Sequence, residues 1–257
     1  MGKPIKRKSS FGRENLKIDF ILKSCYNYYR KKEGEKIMKP SRQEKIKAVK
    51  IAKAYIDAGF DHVLKNELYF SDWVRDFGNP LSSCEIASGM TKYVIIPDDL
   101  NWVIKLPIQV KPKQYRREEF LTKFNAYDYC DLETRNFAYA EEKGVNVFFA
   151  ESYFLSLYKG IRIYIQRKAK CDEQEFDDRL KKYASHYVSE TCNEDVFDEV
   201  VSDYVLNMDE SESLEAVFGD VPTELYNLIE ERNVNDLHCG NYGFINEKPV
   251  IIDYSGY

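Results

Sequence analysis

Near its C-terminus the chain reads Asn235-Asp236-Leu237-His238-Cys239-Gly240-Asn241, and soon afterwards Ile251-Ile252-Asp253 closes an apolar run. Two aspartates and an asparagine in front of a strand-like segment are oxygen donors of the hard kind that suits Mg²⁺, and a carboxylate can also accept a hydroxyl proton. A second chemical signal lies far upstream, in Trp102-Val103-Ile104-Lys105. A lysine ending such a run points inward, and its charge among apolar neighbours requires partners: an anionic ligand, and a carboxylate from an adjoining helix. Glu133 suits that carboxylate, with Phe137 and Ala140 at following helical positions, although Glu118, Glu119, Glu141 and Glu142 occupy the same stretch. Taken singly, each residue has an ordinary reading as a turn residue, a strand-end cap, a snorkelling lysine or a solvated glutamate.

The elements that must position these residues are read from periodicity and punctuation. Residues 1–13 form a basic tail, followed by a predicted helix from about Leu16 to Lys32 that Gly34 breaks. Ser41 is an N-cap with Glu44 completing a capping box, and Ile46, Val49, Ala52, Tyr55 and Ile56 recur at helical spacing until Gly59. Residues 71–83, rich in Asp, Gly, Asn and Pro, read as a loop. From Glu85, two β-rich runs flank the turn Pro97-Asp98-Asp99 and predict a hairpin. A helix is predicted from about Arg116 to Lys143, ended by Gly144, and strands over 145–155 and 161–166. A helix over Pro222–Arg232 leads into the 235–241 loop, and a turn around Gly243–Lys248 brings Asp253 back beside it. Hairpin, helix and two strands make a small antiparallel sheet carrying one helix, so the chain is of the α+β class.

Composition excludes several function classes. With 257 residues, 44% of them apolar and 14% aromatic, the chain can bury a large core in one domain or two lobes. No apolar run approaches the roughly 18 residues of a membrane span, and the basic start lacks the apolar segment of a signal peptide. Six scattered cysteines with no C-x-x-C pair suggest neither a disulfide framework nor a zinc knuckle, and a reducing cytoplasm fits best. The net charge of -5 gives no global preference for nucleic acid or membrane. Charge is nevertheless segregated: residues 1–53 hold 17 Lys/Arg against 5 Asp/Glu, and residues 172–220 hold 3 against 16. A solvated basic arm and a solvated acidic helical face that attract one another is the favoured expectation. Nucleic-acid binding through Tyr26, Tyr28 and Tyr29 beside Arg30, Lys31 and Lys32 is the sharper alternative.

In these positions the chain resembles the protein-kinase-like superfamily. Trp102-Val103-Ile104-Lys105 matches the V-A-I-K strand, Glu133 its helical glutamate partner, and Asp236 with Asn241 five residues later the catalytic loop. Ile251-Ile252-Asp253 matches the strand and aspartate of the Asp-Phe-Gly motif, and D-L-H-x-G-N is similar to the aminoglycoside- and choline-type phosphotransferases. The resemblance covers residues 85–257. It implies a two-lobe fold: an antiparallel β-sheet N-lobe with one helix and a hinge (81–170), a reduced, mainly helical C-lobe (171–257), and an extra basic helical segment (1–80). ATP and Mg²⁺ are the implied cofactors, with an unidentified protein or small-molecule hydroxyl as phosphate acceptor. Lys105 would then hold the α and β phosphates, Glu133 would orient it, Asp236 would take the hydroxyl proton, and Asn241 and Asp253 would ligate Mg²⁺. Ser88 and Gly89 would cover the phosphates, and the backbone of Gln166, Arg167 and Lys168 would hydrogen-bond adenine.

The chain also departs from that pattern. One glycine in Ser88-Gly89-Met90 stands where the kinase loop has three, and Val234 and Asn235 replace the His and Arg before the catalytic aspartate. Only Tyr254–Tyr257 follow Asp253, with no activation segment or later helices, so three expectations stay open: the N-terminal segment packs where those helices would, the substrate is small, or the sequence is a fragment. Besides an active phosphotransferase, a nucleotide-binding pseudokinase or regulatory interaction protein is open, as is an enzyme that moves AMP. His238, lacking companions for a metal, reads as a loop-packing histidine.

Overall fold

The computed structural model describes residues 39–65, 67–89, 91–109, 128–188, 197–234 and 236–255. The basic tail, the Leu16–Lys32 helix with its tyrosine and basic cluster, Met90, the start of the 116–143 helix and Asn235 lie outside the described residues.

Helix α1 (Arg42–Tyr55) begins on the capping box: Glu44 N–H donates to Ser41 Oγ at 3.2 Å and Ser41 N–H donates to Glu44 Oε2 at 2.8 Å. Its buried face is Ala48, Ile51, Ala52 and Tyr55, whereas Ile46 is 47% exposed, so the apolar stripe is turned from the expected one. A wide turn at Ile56–Phe60, with Gly59 at φ 83°, leads to the short α2 (Asp61–Leu64). The segment read as a loop from residue 71 instead contains α3 (Phe70–Phe77). Its Trp73 is fully buried and donates through Nε1 to the Ala58 carbonyl at 2.8 Å.

Strands β1 (Cys84–Ser88), β2 (Lys92–Pro97), β3 (Trp102–Pro107), β4 (Ser152–Tyr158) and β5 (Ile161–Arg167) form one antiparallel sheet in the order β1-β2-β3-β5-β4. The hairpin expected at Pro97-Asp98-Asp99 is β2–β3, with β1 added before it. Instead of beginning a strand at residue 145, the chain takes a 3₁₀ turn at Asn146–Phe148 before β4. Residues directly opposite in antiparallel strands share a face. Tyr93, Ile95, Ile104, Leu106, Ile163 and Ile165 occupy one face and pack with Tyr55, Phe60 and Trp73 of the N-terminal helices. Within the described residues, the N-terminal segment therefore packs on the sheet. It covers the back of the sheet and shares its core, because that face would otherwise leave a large apolar area in water.

The opposite face carries Val94 and Lys105 in direct register, with Lys92 two residues from Val94, and Tyr164 opposite Lys105. Against it lies α4 (Tyr129–Lys143), N-capped by Asp128 and stopped by Gly144 at φ 76°. After β5 come α5 (Glu173–Val188), α6 (Phe197–Leu206), α7 (Glu210–Phe218) and α8 (Thr223–Arg232), then the hairpin β6 (Tyr242–Ile245) and β7 (Lys248–Ile251). On these helices the acidic residues Asp177, Asp178, Asp203 and Glu215 are exposed. A second apolar cluster joins Phe137, Phe149, Leu225, Leu228, Ile251 and Tyr254. The two-residue turn Asn246–Glu247 has φ 49° and 65°, the geometry that suits a tight β-hairpin. Gly243 lets β6 approach the 169–170 segment: a Cβ there would meet Ala169 Cβ at 2.7 Å. The fold is α+β, and among the described residues no helix is long and apolar enough to cross a membrane.

A buried lysine–carboxylate cluster as the candidate active site

Lys105, near the end of β3, is held on the α4 face of the sheet, and its Nζ donates to Glu133 Oε2 at 2.8 Å and to the Ile252 carbonyl at 3.0 Å. Lys92, at the head of β2, donates to Glu133 Oε1 and to Asp253 Oδ1, the latter at 2.8 Å. Ser255 Oγ donates to the same Asp253 oxygen at 3.1 Å. Two ammoniums and two carboxylates thus form one neutral cluster, with exposures of 4% for Lys92, 5% for Lys105, 0% for Glu133 and 37% for Asp253. Only the Asp253 carboxylate is substantially open to solvent.

Burial and charge compete at each group. Burial alone would raise the Asp253 carboxyl, but the Lys92 and Lys105 ammoniums overcome it and hold the group far below the usual carboxylate range. Burial alone would lower Lys92, but Glu133 and Asp253 more than offset it and push the ammonium above the ordinary lysine range. At Glu133 burial is the largest effect and pushes the carboxyl up, against the pull of Lys105 and Lys92.

The loop before β6 is tied to this cluster through the backbone. Ile252, whose carbonyl receives Lys105, donates its own N–H to the Asn241 carbonyl at 2.8 Å. Asn241 Nδ2 in turn donates to the Asp236 carbonyl at 2.6 Å, and its N–H donates to the His238 carbonyl at 2.8 Å. Asn241 is buried, whereas the Asp236 side chain is 47% exposed. His238 orders the loop: its Nδ1 accepts the Gly240 N–H at 3.1 Å, and its Nε2 lies 3.7 Å from Asp236 Oδ1. Lys105 therefore meets Glu133 directly, Lys92 bridges Glu133 and Asp253, and the Asp236–Asn241 loop is joined to Lys105 by two hydrogen bonds in series.

The remaining expected site residues are placed otherwise. Ser88 pairs with Tyr93, which puts it on the sheet face away from Lys105, and the Gly89 N–H donates to the Lys92 carbonyl at 3.0 Å and closes a plain turn. A Cβ at Gly89 would meet nothing closer than 3.8 Å, so packing does not require a glycine there. The N–H groups of Arg167 and Lys168, in the segment expected to meet adenine, are engaged within the fold. Strand β5 lies inside the sheet, so the Arg167 N–H is taken by the Glu151 carbonyl at 2.8 Å and the Lys168 N–H by the Asn101 carbonyl at 2.9 Å. Gln166 is buried at 2% exposure, and its Nε2 has no hydrogen-bond partner among the described residues. The Arg167 guanidinium sits over the Trp102 ring at 5.5 Å, and Lys168 Nζ donates to the Pro97 carbonyl at 3.2 Å.

Lys92 was not among the residues singled out from sequence. A signal for it existed: with a turn at Pro97-Asp98-Asp99, strand alternation puts Lys92, Val94 and Ile96 on one face, and hairpin register brings that face to Lys105. As to a metal, no group of three or more His, Cys, Asp or Glu able to hold one is present among the described residues. Mg²⁺ is commonly held by one or two carboxylates together with substrate phosphates, a donor set that Asp253 with the Asn241 amide fits. No protein-family model and no curated protein matches the sequence.

Proposed function

We propose that the protein is an ATP- and Mg²⁺-dependent phosphotransferase of protein-kinase-like, two-lobe architecture that moves the γ-phosphoryl group to a hydroxyl on a protein or small molecule. The observation that carries this reading is the Lys105–Glu133 ion pair, made between a central strand and α4 on that face, with Asp253 joined to it through Lys92. Phosphoryl transfer asks the protein chiefly for positioning and charge neutralisation, and a buried lysine fixed by a glutamate supplies a positive charge of set direction. Lys105 binds and orients the nucleotide phosphates, Glu133 holds Lys105, and Asp236, exposed on its loop, accepts the acceptor's proton as the new O–P bond forms and ADP departs. Asp253 and Asn241 would hold Mg²⁺, which supplies neutralisation of phosphate charge.

The hydrogen-bonded N–H groups of Gly89, Arg167 and Lys168 favour a second reading, a nucleotide-binding regulatory protein without turnover, because they leave fewer donors for a base and phosphates. Incubation with ATP labelled at the γ- or the α-phosphate separates these readings and AMP transfer. Label passed from the γ position, reduced about a hundredfold or more in Asp236→Ala with nucleotide binding kept, is the expected result. Transfer of the α label, or nucleotide binding with no transfer of either label, would replace the phosphotransferase reading by the corresponding alternative.

A further inference from the structure

Lys92 has no task in the phosphotransferase reading, yet it is the residue that joins both carboxylates of the cluster. Glu133 already has Lys105 as a partner of opposite charge at 2.8 Å. The charge that Lys92 balances is that of Asp253, the one member open to solvent. Two donors, Lys92 Nζ and Ser255 Oγ, converge on a single oxygen of that carboxylate.

We propose that Lys92 is an internal counter-cation that holds Asp253 in the absence of a hard divalent ion and competes with such an ion for that carboxylate. An ammonium and a divalent ion draw on the same lone pairs, and in a site with the Lys92 side chain 4% exposed, their mutual repulsion is poorly screened. Cation loading at Asp253 therefore displaces Lys92. The identity of the ion and its use in phosphoryl transfer rest on the proposed function, whereas the competition itself rests on the cluster.

The test uses Mn²⁺ alone as probe, followed by the paramagnetic resonance signal of the free ion, with the full chain. Lys92→Met is expected to bind Mn²⁺ about tenfold more tightly than the wild type, a change of about 1.4 kcal/mol. Adding Asp253→Asn should abolish the gain, and Lys92→Arg should behave as the wild type. Should Lys92→Met fail to fold, the double variant Lys92→Met/Glu133→Gln keeps the cluster neutral and should show the same gain. Equal Mn²⁺ affinity with Lys or Met at position 92, or a gain that survives Asp253→Asn, overturns the proposal. Binding of a non-hydrolysable ATP analogue is measured in parallel. If no variant binds it while the Mn²⁺ gain appears, the phosphotransferase reading fails and the role of Lys92 stands. If it binds with Mg²⁺ and Mn²⁺ affinity ignores position 92, the reverse holds.

Discussion

Lys92 and Lys105 share one buried carboxylate, so Glu133 is the residue whose loss should be felt most. Truncating it strands two ammoniums on the single carboxylate of Asp253, and breaking a buried pair in this way costs about 3–5 kcal/mol. Urea denaturation of Glu133→Ala against the wild type measures it, and a loss within about 0.5 kcal/mol, as at an ordinary surface site, would mean that the cluster is not tightly formed. The pH dependence follows from the directions of the shifts. The Asp253 carboxyl is depressed, so its stabilisation is present above the ordinary carboxylate value of about 3.9 and is lost as the solution is acidified through the folded value. Lys92 is raised, so its contribution is complete below about 10.4 and fades as the pH rises past that through its folded value. Glu133 is raised and works against Asp253 on the acid side. The stability difference between the wild type and Asp253→Asn should therefore be constant from about pH 6 to 9 and shrink below about pH 4; a difference that grows on acidification would contradict the assignment. The sequence pattern pointed to Lys105 and Asp253, because each sits at a fixed place in a recognisable run, and to Glu133 only through its helical spacing to Phe137 and Ala140 among several glutamates. It did not point to Lys92, a single lysine beside a tyrosine, whose role exists only once the hairpin register is laid out.

At the scale of elements, α1 depends on its first turn. Ser41→Ala removes the oxygen that satisfies the Glu44 N–H and should cost about 1 kcal/mol, read as a lowered denaturation midpoint with an unchanged slope. Glu44 has a further role, since its Oε1 accepts the Trp102 Nε1–H at 3.0 Å and so ties α1 to β3. That capping box was legible because it is written in three consecutive positions after the cap. Helix α3 is masked in the sequence, because Asp, Gly, Asn and Pro around it suggest a loop, although Phe70, Trp73, Val74 and Phe77 recur at helical spacing. The engagement of the Arg167 and Lys168 N–H groups could not be read from the sequence for a different reason. Whether a backbone N–H is available depends on which strand lies beside it, and Glu151 and Asn101 take those groups from positions that no local pattern reveals.

On the scale of the whole molecule, the five-stranded sheet works as a partition. One face is sealed by the N-terminal helices around Tyr55, Phe60, Trp73 and Trp102, and the other presents Lys92 and Lys105 to α4 and to the segment after β7. Charge bias along the chain reveals little of this, because the two lysines of the cluster lie in strands outside the charge-biased stretches. If Lys105, Glu133 and Asp253 form a nucleotide site, Mg²⁺ with a non-hydrolysable ATP analogue must stabilise the fold, and unfolding measured with that ligand shows whether it does. The wild type should gain about 2.7 kcal/mol at a hundredfold excess of ligand over Kd, with the gain largely lost in Lys105→Ala and in Asp253→Ala. No stabilisation of the wild type at any ligand concentration, or equal stabilisation of all three proteins, would contradict it.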